Sequence, residues 1–410
     1  MAGASTKSPR WLNRTVLGAG LTSGFGDLCY ETATAILPGF LAALGVPAAA
    51  LGAIEGSADA IASFTKMASG YIASRLGHRK LLVLVGYGLT PLGQVPIALA
   101  GGWPLVLLGR LIAWFGKGLR GPLRDAIMTQ AVTPETRGRA FGFHRAMDTV
   151  GAVAGPLLAV ALLSWTSVTH AHNSAAPFRM VMWLAIIPGV LSVVAFLTLV
   201  RDPEDSPNPK LRLFHTLASL PKRFRRYLGA VALFGSGDFS HTLLILAATQ
   251  LLTPSLGVVR AAQVAGLLYV GRNVVQVLLS YPAGALADRI GSLPVLVAGY
   301  GLGAATAVLT LLAFWYNTTS VLFLGMIFLA AGLCTAVQEA IESTVTAGMV
   351  AEETLAISYG ALGTVGGAAQ FLSSTAVGIL WTTLSPVVGF GVAAVLMAAG
   401  TLALACLTRR

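Results

Sequence analysis

Hydrophobic positions along this chain neither alternate nor mark one narrow helical face; they run together in long stretches separated by short polar breaks. Twelve such stretches are predicted as helices, at 17–43, 48–74, 80–101, 103–129, 139–165, 178–199, 227–253, 259–286, 293–315, 319–348, 356–381 and 384–407. A bilayer's hydrocarbon core is about 30 Å thick and takes about 20 residues of helix to cross, so each stretch is a candidate span. A helix closes its own backbone hydrogen bonds, which a segment surrounded by lipid must do. The pattern therefore predicts an all-α membrane protein.

Composition agrees with this solvent: of 410 residues 55% are hydrophobic and 10% charged, with a mean hydropathy of +0.77. The first stretch is long, is interrupted by Asp27 and Glu31, and has no small-residue cleavage site after it, so it reads as a retained span rather than a leader. The three cysteines, Cys29, Cys334 and Cys406, lie far apart inside apolar runs and suggest neither a disulfide framework nor a zinc site.

The formal charge of +11 would suit nucleic acid, but its placement argues for a membrane instead. Lys7, Arg10 and Arg14 precede the first stretch, Arg75, Arg79 and Lys80 lie between the second and third, and Arg137, Arg139 and Arg145 follow the fourth. Arg201 to Arg226 crowd the central connection and Arg409 and Arg410 end the chain, while the alternate loops "GVPAAA", "GGW", "YNTTS" and "LSP" have no Lys or Arg. By the positive-inside rule both termini are expected in the cytoplasm, with the segment 211–226 lying along the inner leaflet.

The chain also repeats itself. "SGFGDLCYETATAILPGFLAALGV" at 23–46 aligns with "GSGDFSHTLLILAATQLLTPSLGV" at 235–258, and the turn after the second stretch returns after the eighth. The division expected is an N-terminal six-helix bundle at 1–200, a basic cytoplasmic linker at 201–226 and a C-terminal six-helix bundle at 227–410. Parallel halves of this kind enclose a site near the midplane whose access alternates.

The recurring turn carries a family resemblance. Gly70, Arg75, Gly77, Arg79 and Lys80, with a second copy at Gly284, Asp288, Arg289 and Gly291, resemble the G-x-x-x-D-R-x-G-x-R-K gating motif of the major facilitator superfamily. Ser74 stands where that motif has its aspartate. The resemblance implies two pseudo-symmetric bundles, twelve helices in all, with Asp125 as a partner for Arg75 and Glu339 or Glu342 as partners for Arg289. Gly151, Gly155 and Pro156 form a G-x-x-x-G-P run similar to the helix-5 signature of drug/proton antiporters in that superfamily, with Ala159 and Val160 in place of its last glycines. "GKGLRGPLRDA" and "RGRAFGFHRAMDT" resemble a prokaryotic subgroup of these permeases whose substrates are unassigned.

Charges inside spans are costly and normally face a partner or a wet cavity. Asp27 and Glu31 share a face one turn apart, as do Glu55 and Asp59, and acids at such depth suit proton coupling. Arg110 resembles the helix-4 arginine that assists proton exchange in related antiporters. Lys66, Lys117, Asp238, His241, Arg272, Asn273, Gln276 and Gln338 are the expected substrate-cavity set, in which Arg272 meets an anionic group or neutralises Asp238. The structural alternative is a closed set of ion pairs, for instance Asp59 with Lys66. His144 and Asp148 are four apart, as a proton relay or a gate cluster requires.

No nucleophile elbow, metal-ligand cluster or phosphate loop is present, so neither an enzyme nor a cofactor is expected. The function expected is secondary transport of a small organic molecule across the bacterial inner membrane by proton antiport, as efflux, by a monomer. An importer of a small anionic metabolite and a non-transporting receptor are the alternatives; protons, a small solute and lipid are the expected partners, and nucleic acid is not.

Overall fold

A computed structural model of the chain describes residues 11–76, 79–133, 137–169, 175–201, 221–350 and 355–408. Its helices are α1 (Arg14–Ala43), α2 (Ala48–Leu76), α3 (Arg79–Leu99), α4 (Trp103–Gln130), α5 (Arg137–Thr169) and α6 (Ala176–Leu199) in the first half. The second half holds α7 (Lys222–Gly235), α8 (His241–Leu256), α9 (Val258–Ile290), α10 (Ser292–Trp315), α11 (Val321–Ala347), α12 (Leu355–Thr383) and α13 (Pro386–Thr408). Each predicted stretch is found as a helix with one correction: the seventh is two helices, α7 and α8, broken at residues 236–240. The break falls on Ser-Gly-Asp-Phe-Ser, where Gly237 lies against the backbone of Ala393 and Ser240 caps the new helix start. An irregular segment at membrane depth is tolerated where protein or a wet cavity surrounds it.

Among the described residues seven helices are long and apolar enough to cross a membrane by length and composition alone. The others depart for visible reasons. Charged residues interrupt α1, α2 and α4, glycine and serine dilute α12, and the broken span leaves α7 and α8 short. On α6, whose sequence is apolar all round, Ile187, Val190, Leu191, Val194 and Leu197 point outward as a lipid-facing surface.

Within the first half α1 packs on α5 and α6, α2 on α4, and α3 on α4 and α6; in the second, α9 packs on α11, α10 on α11 and α13, and α7 on α12 and α13. The halves meet along α2 with α12, α5 with α9, and α1 with α8 and α9. Lys and Arg along the sequence mark one face of the bundle, here the basic face, at which α2 ends and α3 begins; the bare loops at 44–47, 100–102 and 316–320 mark the opposite face. The halves are shut at the opposite face: the Ala49 amide donates to Thr382 Oγ1 at 2.9 Å, Gln263 Nε2 to Ser164 at 3.1 Å, and Gly52 abuts the Ser374 carbonyl. Toward mid-depth Gly367 meets Ser63, and beyond it Lys66 on α2 and Glu339 on α11 are solvent-exposed.

Candidate functional site: a polar layer between the halves

Two parallel helices, α2 and α4, run in step, so residues one turn apart on each form rungs. Glu55 and Arg110 make the first: Oε1 of Glu55 accepts from Nε at 2.8 Å and lies 2.7 Å from Nη2, with both side chains at most 1% exposed. Thr34 of α1 accepts from the same guanidinium at 3.0 Å. One turn deeper Trp114 donates from Nε1 to Asp59 at 2.9 Å, and its ring lies 3.9 Å beneath the Arg110 guanidinium. Asp59 is thus held by an indole and not by Lys66; among the described residues those two make no ion pair. Lys117, the next turn of α4, sits 4.2 Å over the Tyr30 ring and 5.3 Å from that of Trp114.

Asp27 and Glu31 flank the midpoint of α1, and both are buried. They face the glycines of α5: a Cβ on Gly151 would lie 2.7 Å from Asp27 Cβ, and one on Gly155 2.7 Å from Glu31 Cβ. The G-x-x-x-G run therefore has a local physical use, since two missing side chains let α1 bring its acids against α5. Pro156 follows within the same helix. Glu31 also reaches the other half, where its Oε2 accepts from the Tyr269 hydroxyl of α9 at 2.9 Å. Tyr269 stacks on His241 at the start of α8, ring centroids 5.1 Å apart and planes 3° from parallel.

Arg272, one turn after Tyr269, donates to Asn273 Oδ1 at 2.9 Å, to Gln276 Oε1 at 2.8 Å and to Thr335 Oγ1 of α11 at 2.8 Å. Gln276 passes its amide to Glu339 at 2.8 Å, and Asn273 donates to the Ala152 carbonyl of α5, across the halves, at 3.0 Å. Asp238, in the break of the seventh span, accepts from Gln338 at 3.4 Å. Arg272 is therefore bonded to neutral groups and does not pair with Asp238 among the described residues.

Nearer the basic face a second network lies under α4. Arg124 pairs with Asp125 at 3.0 Å and donates to Tyr87 at 3.2 Å and Ser23 at 3.3 Å, while Ser23 donates to Asp148 at 2.6 Å. Arg145 is 3.4 Å from Asp148, whereas the buried Nε2 of His144 has no partner among the described residues, so the four-residue spacing does not join them directly. Glu342 accepts from Tyr300 at 2.7 Å. Of the gating motif, Gly77, the surroundings of Gly70 and the side chains of Arg75, Arg79 and Asp288 lie outside the described residues, and with them the expected Arg75–Asp125 contact. Lys80 donates to the Leu197 carbonyl at 3.3 Å, and Arg289 is exposed in the last turn of α9. Gly291 ends that helix at φ +96°, a conformation that favours glycine, whereas Gly284 has open space around it and no packing need.

Tyr30, Trp114, Tyr269 and Thr335 belong to this layer but were not among the expected site residues. Spacing holds their signal: Trp114 stands four after Arg110 and Tyr269 three before Arg272, each on the face of a charged neighbour.

A family profile described as Major Facilitator Superfamily matches residues 19–258. An uncharacterized MFS-type transporter of Methanocaldococcus jannaschii is 26% identical over 94% of this chain and 93% of its own. An uncharacterized protein of Mycobacterium tuberculosis is 29% identical over 90% of this chain and 87% of its own. The crystal structure of a nucleoside transporter, NupG, superposes with a TM-score of 0.76 at 14% identity, covering 96% of this chain and 99% of that one.

Proposed function

Since the chain belongs to the major facilitator superfamily, and is a transporter rather than an enzyme, we propose that it moves a small organic solute outward across the bacterial inner membrane in exchange for protons. Access alternates as the two halves rock about the polar layer, with both termini in the cytoplasm and the monomer as the working unit. The observation that carries this reading is the 2.9 Å hydrogen bond from Tyr269 to Glu31. It ties a buried carboxylate of the first half to the helix of the second half that bears Arg272, Asn273 and Gln276. An ionised Glu31 only accepts hydrogen bonds, whereas a protonated one also donates, so loading a proton changes the contact between the halves. Asp27, one turn away against the same α5 glycines, is the second proton-coupling candidate. The α5 run Gly151, Gly155 and Pro156 supports the outward direction, being similar to the antiporter signature.

The test is accumulation of a broad panel of drugs and metabolites in an efflux-deficient bacterium carrying wild type, Asp27→Asn or Glu31→Gln at equal membrane levels. Lower accumulation of some compound with wild type, lost in either variant, is the expected result. Higher accumulation with wild type reverses the direction, and flux unchanged in both variants removes the proton-coupling role.

A further inference from the structure

We infer that Lys117 of α4 and Arg272 of α9 are the two arms of a clamp for a small organic carboxylate, bound at mid-depth between the halves. This rests on the transport reading above and names the chemical class of its substrate.

Each half contributes one of these cations to the polar layer, Lys117 from α4 and Arg272 from α9. Arg110 is neutralised by Glu55. Four acids there are engaged as well: Asp59 by Trp114, Glu31 by Tyr269, Asp238 by Gln338 and Glu339 by Gln276. Lys117 and Arg272 make no ion pair among the described residues. The Lys117 ammonium rests against the faces of Tyr30 and Trp114, and π faces replace only part of the hydration an ammonium gives up. Arg272 places two nitrogens on amide and hydroxyl oxygens, and its buried Nε has no partner. The imidazole Nε2 of His241, whose ring stacks on Tyr269, is likewise buried and unpartnered.

Position joins these groups. Lys117 lies beside Tyr30, which adjoins Glu31; Glu31 bonds Tyr269; and the Arg272 guanidinium is 5.8 Å from the Tyr269 ring. Asp27, Glu31 and Asp59 lie in the field of Lys117, and Glu31 and Asp238 in that of Arg272. None of them closes on either cation. A half-buried guanidinium and ammonium that close on no acid are incompletely compensated, and a carboxylate entering from the solvent-exposed side at Lys66 and Glu339 meets the unfilled Nε of one half and the ammonium of the other. Because the arms come from different halves, binding draws those halves together.

The probe set is benzoate, benzamide and benzylamine, which keep one ring and change the polar group from anionic to neutral to cationic. Purified full-length protein in detergent is followed by thermal unfolding and by tryptophan fluorescence. Benzoate is expected to raise the unfolding midpoint and to quench fluorescence saturably, with neither effect from benzamide or benzylamine. Arg272→Gln and Lys117→Gln should each weaken benzoate at least tenfold, Arg272→Lys should retain part of the affinity, and Arg260→Gln, on the outer turn of α9, should match wild type. Retained affinity in Arg272→Lys separates lost charge from lost folding. Equal response to the amide or the amine, no response to benzoate, or undiminished benzoate binding in both glutamine variants overturns the clamp. Counterflow of radiolabelled benzylamine in proteoliposomes, without counterflow of benzoate, also overturns it while leaving the transport reading standing.

Discussion

Arg110 and Glu55 illustrate how one contact decides the fate of two charges. Removing a single partner of a buried ion pair leaves the other uncompensated and costs about 3–5 kcal/mol. Arg110→Gln is therefore expected to lower the unfolding temperature in detergent more than the double change Arg110→Gln with Glu55→Gln, which leaves no net buried charge. If the double variant is the less stable of the two, the pair is not what holds α2 to α4. Tyr269→Phe removes only the hydroxyl that Glu31 accepts, and a lost partner at a buried site costs about 1–3 kcal/mol. Transport should fall with the protein still inserted and folded. Undiminished transport rates would remove that hydrogen bond from the mechanism.

Helix α5 carries its information in what it lacks. A side chain at Gly155 would press on Glu31, and one at Gly151 would press on Asp27 and the Gly24 carbonyl. Gly155→Leu should push α1 away from α5, abolishing transport with membrane levels near wild type, while a glycine with open space such as Gly284 should accept alanine freely. Comparing both variants for flux and for detergent stability checks this, and equal tolerance at the two positions would contradict it. The broken seventh span is the corresponding feature of the second half. Its five-residue break carries Asp238, and His241 begins the helix that follows.

Alternating access requires that the shut interface at the opposite face open during the cycle. Ala49 and Thr382 are bonded across it at 2.9 Å, which gives a direct handle. In a background lacking the exposed Cys406, cysteines at positions 49 and 382 should cross-link under oxidation and stop transport, and reduction should restore it. Full transport by the cross-linked protein would mean that these ends do not separate.

The helical spans were legible in the sequence because lipid enforces them: a run of about 20 apolar residues has few alternatives to a crossing helix, and a charge within it stands out because it needs a reason. The α5 glycines were legible for the same reason, as spacing along one helix is a local property. Pairing was not. Asp59 stands one turn from Glu55 with Lys66 two turns on, yet it takes the Trp114 indole of α4, while Glu55 takes Arg110. Arg272 turns to Asn273, Gln276 and Thr335 instead of Asp238. Periodicity along a helix says which residues share a face, but the rotation and depth at which α2 meets α4, or α1 meets α9, come from packing across the whole bundle. That packing selects which acid receives a cation, which receives a neutral donor, and which cations stay without an ion pair among the described residues.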